Sequence, residues 1–370
     1  MLPPRQGIYA GLYSIGSVEE DFKTFRSKVG YDAPIVFTFH DWISDEDFAS
    51  GKPRLRSFDD PLESATTSVL AFASQISGQG SVPAIAWAMQ CCDWGSTAWW
   101  LGLRSTTVSV PRLLNGDFDP YVRQVARQVK AFGKPLMLSL FSEFNLQGTF
   151  AFGPEGRDAM TDADSICGHY GDPGWPDGPE RIRDAHMRVI DIFREEGVKN
   201  VTWFMYASTN YMDPDHEDSS PWLHPKYFYP GDDYIDWVGL STYFVDPRWS
   251  FKVNEEATGI ARALKPGYDA WGEVTQRPLF LPEFAALGLP DTDRSDVLRM
   301  ALRDYLPTLP RVKALTLADF LVGEVCCEVP RLGVKHAKEI QTWRETVSEN
   351  PLYAKRARTG VRTGDAGSSR

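Results

Sequence analysis

Short apolar runs alternate along the chain with longer segments in which apolar residues recur every three to four positions. The runs are Ile8–Leu12, Ile35–Phe39, Ala84–Ala88, Leu136–Phe141, Val201–Tyr206, Ile235–Leu240, Leu279–Leu281 and Ala314–Leu317. Runs this short, and nearly without polar alternation, suit parallel strands covered on both faces. The segments between them are long enough for the crossovers that parallel pairing requires. Ser17 and Glu20 form a capping-box pattern ahead of Phe22, Phe25 and Val29, and Gly30 stops that helix. Asp60–Pro61 opens a second predicted helix carrying Val69, Ala73 and Ile76 on one face. Asp119–Pro120 opens a third, with Val122, Val125, Val129 and Phe132 in its apolar stripe and Gly133 at its end. Pro179 begins a fourth, with Ile182, Ala185, Val189 and Phe193 inward and Gly197 closing it. The last helices are expected near 296–305 and 334–347.

Eight strand–helix units predict an α/β fold, a single (β/α)8 TIM barrel spanning residues 1–353. The segment 354–370, rich in Arg, Gly and Ser, reads as a disordered tail. The body exceeds the roughly 250 residues of a plain barrel, so its loops must be long. Segments 41–59, 90–116, 146–178, 207–232 and 244–261 all follow predicted strands. They would therefore gather at the C-terminal face, where barrel enzymes keep their sites.

Composition narrows the chemistry. A net charge of −11 argues against a nucleic-acid partner, which would call for a basic surface. It leaves neutral sugars open. No stretch approaches the roughly 20 apolar residues of a membrane span. Residues Met1–Gly7 contain no apolar signal core, which leaves the choice between export and cytoplasm open. Cys91, Cys92, Cys167, Cys326 and Cys327 are odd in number and offer no metal-binding spacing, so they read as buried thiols at strand ends. No metal and no cofactor is expected. The acidic loop Asp213, Asp215, His216, Glu217 and Asp218 lacks the spacing of a known calcium loop and reads as solvated charge.

Two carboxylates stand out by position. Glu143 follows the fourth run, in Leu-Ser-Leu-Phe-Ser-Glu-Phe-Asn, and Glu283 follows the seventh, in Pro-Leu-Phe-Leu-Pro-Glu-Phe. Carboxyls at the ends of apolar strands are unfavourable there unless paired, hydrogen-bonded or used. Strands four and seven face each other across an eight-stranded barrel. Two carboxyls converging across its mouth are what glycosidic cleavage needs: one protonated for the leaving oxygen, one ionised to attack the anomeric carbon.

Several segments support this reading. They are Asn-Gly-Asp-Phe-Asp-Pro-Tyr121 leading into Gly133-Lys-Pro-Leu-Met-Leu, Val189–Trp203, Tyr229–Leu240 and Arg277–Phe284. In order and spacing the chain resembles glycoside hydrolase family 26, the β-mannanase-type branch of the clan A barrels, from about Asn115 to Ala286. The resemblance implies Glu143 as acid/base, Glu283 as nucleophile and Tyr243 as the tyrosine that hydrogen-bonds the nucleophile. The chain departs from the family in the surrounding shell. Ser142 stands where a His usually precedes the acid/base, Ser139 stands where an Arg is usual, and Leu-Thr-Leu-Ala-Asp319-Phe320 replaces a segment that commonly holds a Trp.

Further substrate contacts are expected from His40 at the second strand's end, from Asn145, from Asp319 or Glu324 in the eighth loop, and from loop tryptophans. The tryptophans are Trp94, Trp175 and Trp249, with Trp42, Trp99 and Trp100 beside them. The expected function is a retaining β-glycoside hydrolase acting on a polysaccharide or oligosaccharide, mannan or a related β-glycan. The alternatives are a carbohydrate-binding barrel without catalysis and an exo-acting clan A glycosidase.

Overall fold

Each of the eight apolar runs is a strand. They are β1 (Ile8–Tyr13), β2 (Ile35–Ile43), β3 (Val82–Cys91), β4 (Leu136–Ser139), β5 (Val201–Ser208), β6 (Trp237–Val245), β7 (Leu279–Leu287) and β8 (Val312–Leu317). All neighbouring pairs are parallel, and β8 pairs with β1 as β1 pairs with β2, so the sheet closes into a barrel. This computed structural model describes residues 1–14, 18–44, 54–62, 67–91, 108–145, 167–209, 212, 221–245, 259–287, 293–317 and 337–360.

The strand period of two sorts side chains into two cores. Tyr9, Ile35, Phe37, Ala84, Met137, Phe204, Trp237, Phe280 and Ala314 fill the barrel's interior. The alternate residues, among them Val36, Ile85, Leu138, Val238, Leu279 and Leu315, pack outward under the helices. The described helices are α1 (Val18–Val29), α2 (Val69–Gly78), α3 (Val110–Leu114), α4 (Asp119–Phe132), α5 (Asp177–Glu195), α6 (Gly259–Val274), α7 (Ser295–Arg299) and α8 (Ala337–Trp343). α7 and α8 continue as π-helical turns, Met300–Tyr305 and Arg344–Ser348. Among the described residues no helix is long and apolar enough to cross a membrane.

Three elements differ from the sequence expectation. Asp60–Pro61 does not open α2; the Asp60 carboxylate accepts from the Ser57 backbone N–H at 2.7 Å, and the helix starts at Val69. Its N-cap is Ser68, whose hydroxyl accepts from Ala71. α6 lies where the reading had a loop to residue 261 and nothing helical beyond, because Pro266 and Gly267 interrupt its pattern. Gly267 is needed there: a Cβ would meet the Leu240 side chain of β6 at 2.8 Å. Finally, the chain stays ordered past residue 354. Tyr353–Ala354 form a ninth strand, β9, parallel to β1, and Arg358 bridges Leu2.

Candidate active site

Buried polar groups concentrate at one end of the barrel. Ser139, Ser142, Glu143 and Asn145 follow or end β4, and Ser208 and Thr209 do so at β5. Ser241 and Thr242 lie in β6, Glu283 in β7 and Thr316 in β8. Toward the opposite end the inward positions are mostly apolar. Burying polar groups is unfavourable unless they are bonded, so this rim is where the fold holds chemistry.

Glu143 sits in a tight turn just past β4. Its φ of +37° makes it the one non-glycine residue with a left-handed backbone among those described. Such a conformation costs on the order of 1–3 kcal/mol and persists only where neighbours impose it. The neighbours are explicit. The Ser139 hydroxyl donates to the Phe141 carbonyl at 2.7 Å. The Asn145 amide donates to the Ser208 carbonyl at 2.9 Å, and the Ser208 N–H donates back to the Asn145 side-chain oxygen at 2.7 Å. Phe144, fully buried against Phe228 and Trp271, anchors the outer side of the turn. The Glu143 carboxyl thereby points inward and accepts from the Ser241 hydroxyl.

Glu283 is aimed by a β-bulge. Between Gly239 and Thr242 of β6, and between Leu315 and Leu317 of β8, strand β7 carries one residue too many at Pro282–Glu283. Bulges re-aim side chains, and proline belongs at them because it has no N–H to give the ladder. The Pro282 carbonyl is used instead by the Thr316 hydroxyl. The sequence reading ended this strand at Leu281; the bulge lets it run on to Leu287. Beyond the bulge, Arg294 donates to the Ala286 carbonyl at 2.9 Å and forms a buried ion pair with Glu339, also at 2.9 Å. That pair pins the strand end carrying Glu283.

The Tyr243 hydroxyl donates to a Glu283 carboxylate oxygen. Ser241 and Tyr243 are alternate residues of β6 and share its inner face, about 6.5–7 Å apart along the strand. One strand therefore grips both carboxyls. Burial, then the neighbouring Glu283 charge, pushes Glu143 up from an ordinary 4.5 to about 8, with the Ser241 and Ser208 hydroxyls pulling it back. Burial and the charges of Glu283 and Glu143 hold Tyr243 protonated, far above the usual phenol range. Among the described residues no cluster of three or more His, Cys, Asp or Glu is placed to hold a metal ion.

The structure places Glu143, Glu283 and Tyr243 near one another. Asn145 lies beside them, but Ser208 occupies both ends of its amide, so it braces the turn and is not open to a sugar. His40 is corrected outright. It lies on the helix-facing side of β2, fully buried, with Nε2 on the Ser57 carbonyl at 3.2 Å and Phe58 against its ring. Burial, reinforced by Arg56, drives it down to about 3, a neutral core histidine. Trp42 shares that side, packed on Trp87, Tyr121 and Phe118. Both follow the parity of β2, in which 35, 37 and 39 point inward. Trp175 is half-buried at the start of α5, against Tyr227, with the Arg183 guanidinium 5.1 Å from its ring. Cys167 is exposed, not buried. Trp94, Trp99, Trp100, Trp249, Asp319, Glu324 and the acidic loop 213–218 lie outside the described residues. Sequence reasoning missed Ser241, Ser208 and Thr316. Period-two alternation offered a signal for Ser241, two residues before Tyr243.

No protein-family model matches the chain. Endoglucanase H of Acetivibrio thermocellus is 22% identical over 269 residues, which covers 72% of this chain and 23% of that protein. The chain thus spans under a quarter of the length of this curated relative. Solved structures cover it nearly end to end. The catalytic domain of the family 26 endo-β-1,4-mannanase from Bacillus sp. JAMB-750 has a TM-score of 0.60 at 13% identity, covering 95% of this chain and 88% of that one. A family 26 β-mannanase from Bacteroides ovatus gives 0.58 at 15%, covering 95% and 91%. The family 26 domain of an endo-β-mannanase/endo-β-glucanase from Prevotella bryantii gives 0.54 at 12%, covering 94% and 90%. At these identities the likeness is one of fold: the chain is a (β/α)8 barrel built like those of the family 26 mannanases.

Proposed function

We propose that the chain is a retaining β-glycoside hydrolase acting on a β-linked polysaccharide or oligosaccharide. The observation that carries this reading is the convergence of Glu143 and Glu283, held by Ser241 and Tyr243 of one strand and electrostatically coupled. Their environments differ as the chemistry requires. Glu143 keeps its proton at neutral pH because it is buried beside a second carboxyl. Glu283 takes a phenolic O–H on one oxygen, which favours its charged form. In the first step the Glu283 carboxylate bonds to the anomeric carbon as the glycosidic C–O bond breaks, and the Glu143 proton passes to the leaving oxygen. In the second, Glu143 takes a proton from water as that water attacks the same carbon and frees Glu283. Retention calls for carboxyls about 5–5.5 Å apart; inversion would need room for a water between them.

The substrates to try first follow from the neighbours: β-mannan from the solved barrels and β-glucan from the curated relative, with xylan beside them. Glu283→Ala is expected to abolish turnover while the protein stays folded. Glu143→Ala is expected to cripple hydrolysis of the polysaccharide but, with an activated aryl β-glycoside whose phenolate leaves without a proton, to recover turnover in azide and release a β-glycosyl azide, because azide attacks the intermediate without a general base. Undiminished activity in either variant would defeat the assignment.

A further inference from the structure

β2 is nine residues long, and every position but one is buried; the exception is Phe39. An apolar ring left open in an otherwise closed strand calls for an explanation. By the parity of its strand Phe39 points into the barrel, above Ile35 and Phe37. The next inward position toward the rim is Asp41, which is fully buried, so Phe39 lies one inward step below the end that holds the two glutamates. The ring is fixed in place. Phe37 meets it edge-on at 5.0 Å, and Tyr13, at the end of β1, leans against it at 5.6 Å. Phe39 and Tyr243 both pack on the inner cluster that contains Tyr13, and the Tyr243 hydroxyl reaches Glu283. On the two strands that follow, the register sets small residues beside it, Ala86 of β3 and Ser139 of β4. Among the described residues, Tyr13, Phe39 and Tyr243 pack on one inner layer, and Phe39 and Tyr243 keep part of their surface open; Tyr243 commits its hydroxyl to Glu283, which leaves Phe39 as the partly open ring with no polar partner to serve.

We propose that Phe39, propped by Tyr13, is the floor on which the sugar ring at the cleavage point rests. This rests on the glycosidase reading above and deepens it. A pyranose presents an apolar face of C–H groups, which suits the electron-rich face of an aromatic ring. In the transition state that sugar carries oxocarbenium-like positive charge, and the same ring face attracts a cation. Phe39 is thus expected to favour the transition state over the bound ground state, acting on kcat more than on KM. Of the surrounding groups, Tyr13 supplies rigidity and Glu283 the attack.

The test uses the full chain and its best substrate from a panel of β-manno- and β-gluco-oligosaccharides. Phe39→Leu keeps an apolar side chain and removes the ring; Phe39→Tyr keeps the ring. The expected result is a fall in kcat/KM of about tenfold for the Leu variant, mainly in kcat, with near-parental values for the Tyr variant. Parental kcat/KM for Phe39→Leu, or equal losses in both variants, would overturn the proposal, since either would mean that the ring face is not used. A second measurement needs no change at Phe39. In the Glu283→Gln variant, a bound tetrasaccharide should show upfield ring-current shifts on the C–H protons of one sugar, and their absence would also overturn it. The parent and Glu283→Ala serve as controls: an inactive parent or an active Glu283→Ala would fail the glycosidase reading itself, whereas a normal Phe39→Leu beside an inactive Glu283→Ala would fail this inference alone.

Discussion

Glu143 is the residue on which most of the physics converges. It is buried, strained and held within reach of a second carboxyl, and burial beside Glu283 pushes its carboxyl up from an ordinary 4.5 to about 8. Two consequences follow. The alkaline limb of kcat/KM is expected near pH 8, because the proton given to the leaving group is lost there. Ser241→Ala removes a donor to the charged form, so the limb should move upward in pH; a limb that stays put would deny Ser241 any hold on Glu143. The second consequence is in stability. The folded protein binds this proton more tightly than the unfolded chain does. The contribution is greatest below about 4.5 and falls as pH rises toward about 8. Glu143→Gln, neutral at every pH, should therefore melt higher than the parent at pH 8, with the gain shrinking toward pH 4. Melting curves across that range check this, and a gain that grows toward acid would refute it.

At the scale of elements, the site depends on irregularities that regular strands cannot supply. The bulge at Pro282–Glu283 and the left-handed turn at Glu143 turn two side chains into one mouth. Each is braced from a neighbouring element: Thr316 for the bulge, Asn145 with Ser208 for the turn. The buried Arg294–Glu339 pair ties α8 to the end of β7. Removing one partner strands the other charge, so Glu339→Ala is expected to destabilise the fold by about 3–5 kcal/mol in urea titrations. A loss below about 1 kcal/mol would mean that water already reaches the pair.

Elements are also where the sequence was readable and where it was not. Apolar runs revealed all eight barrel strands, because burial on both faces leaves little freedom in composition. The bulge was hidden because a proline at a strand's end and a proline at a bulge look alike in one dimension. α6 was hidden by Pro266–Gly267, two breakers inside one helix, of which Gly267 leaves the space that Leu240 needs. His40 and Trp42 were misplaced because the reading took their position along the strand and not their parity, and parity decides which face of a barrel wall a residue occupies. Glu143 and Glu283 stood out because carboxyls at the ends of apolar strands have few other reasons to be there, whereas Tyr243 was singled out only through the resemblance to family 26.

For the molecule as a whole, the barrel separates stability from chemistry. The interior near the strand starts is packed with rings and aliphatic groups, and the opposite rim holds carboxyls, hydroxyls and an open phenylalanine. The net charge of −11 suits a neutral polymer better than an anionic one. The fold matches mannanase barrels almost end to end. The reaction type is therefore argued from the glutamate pair, and the sugar from the substrate panel.

The most direct test of the central claim, that Glu143 and Glu283 share one scissile bond, is the anomeric configuration of the first product. Proton NMR during the first minutes of hydrolysis, before mutarotation, should show the new reducing end in the β form, as double displacement through Glu283 requires. An initial α product would mean a single displacement by water and would contradict the account.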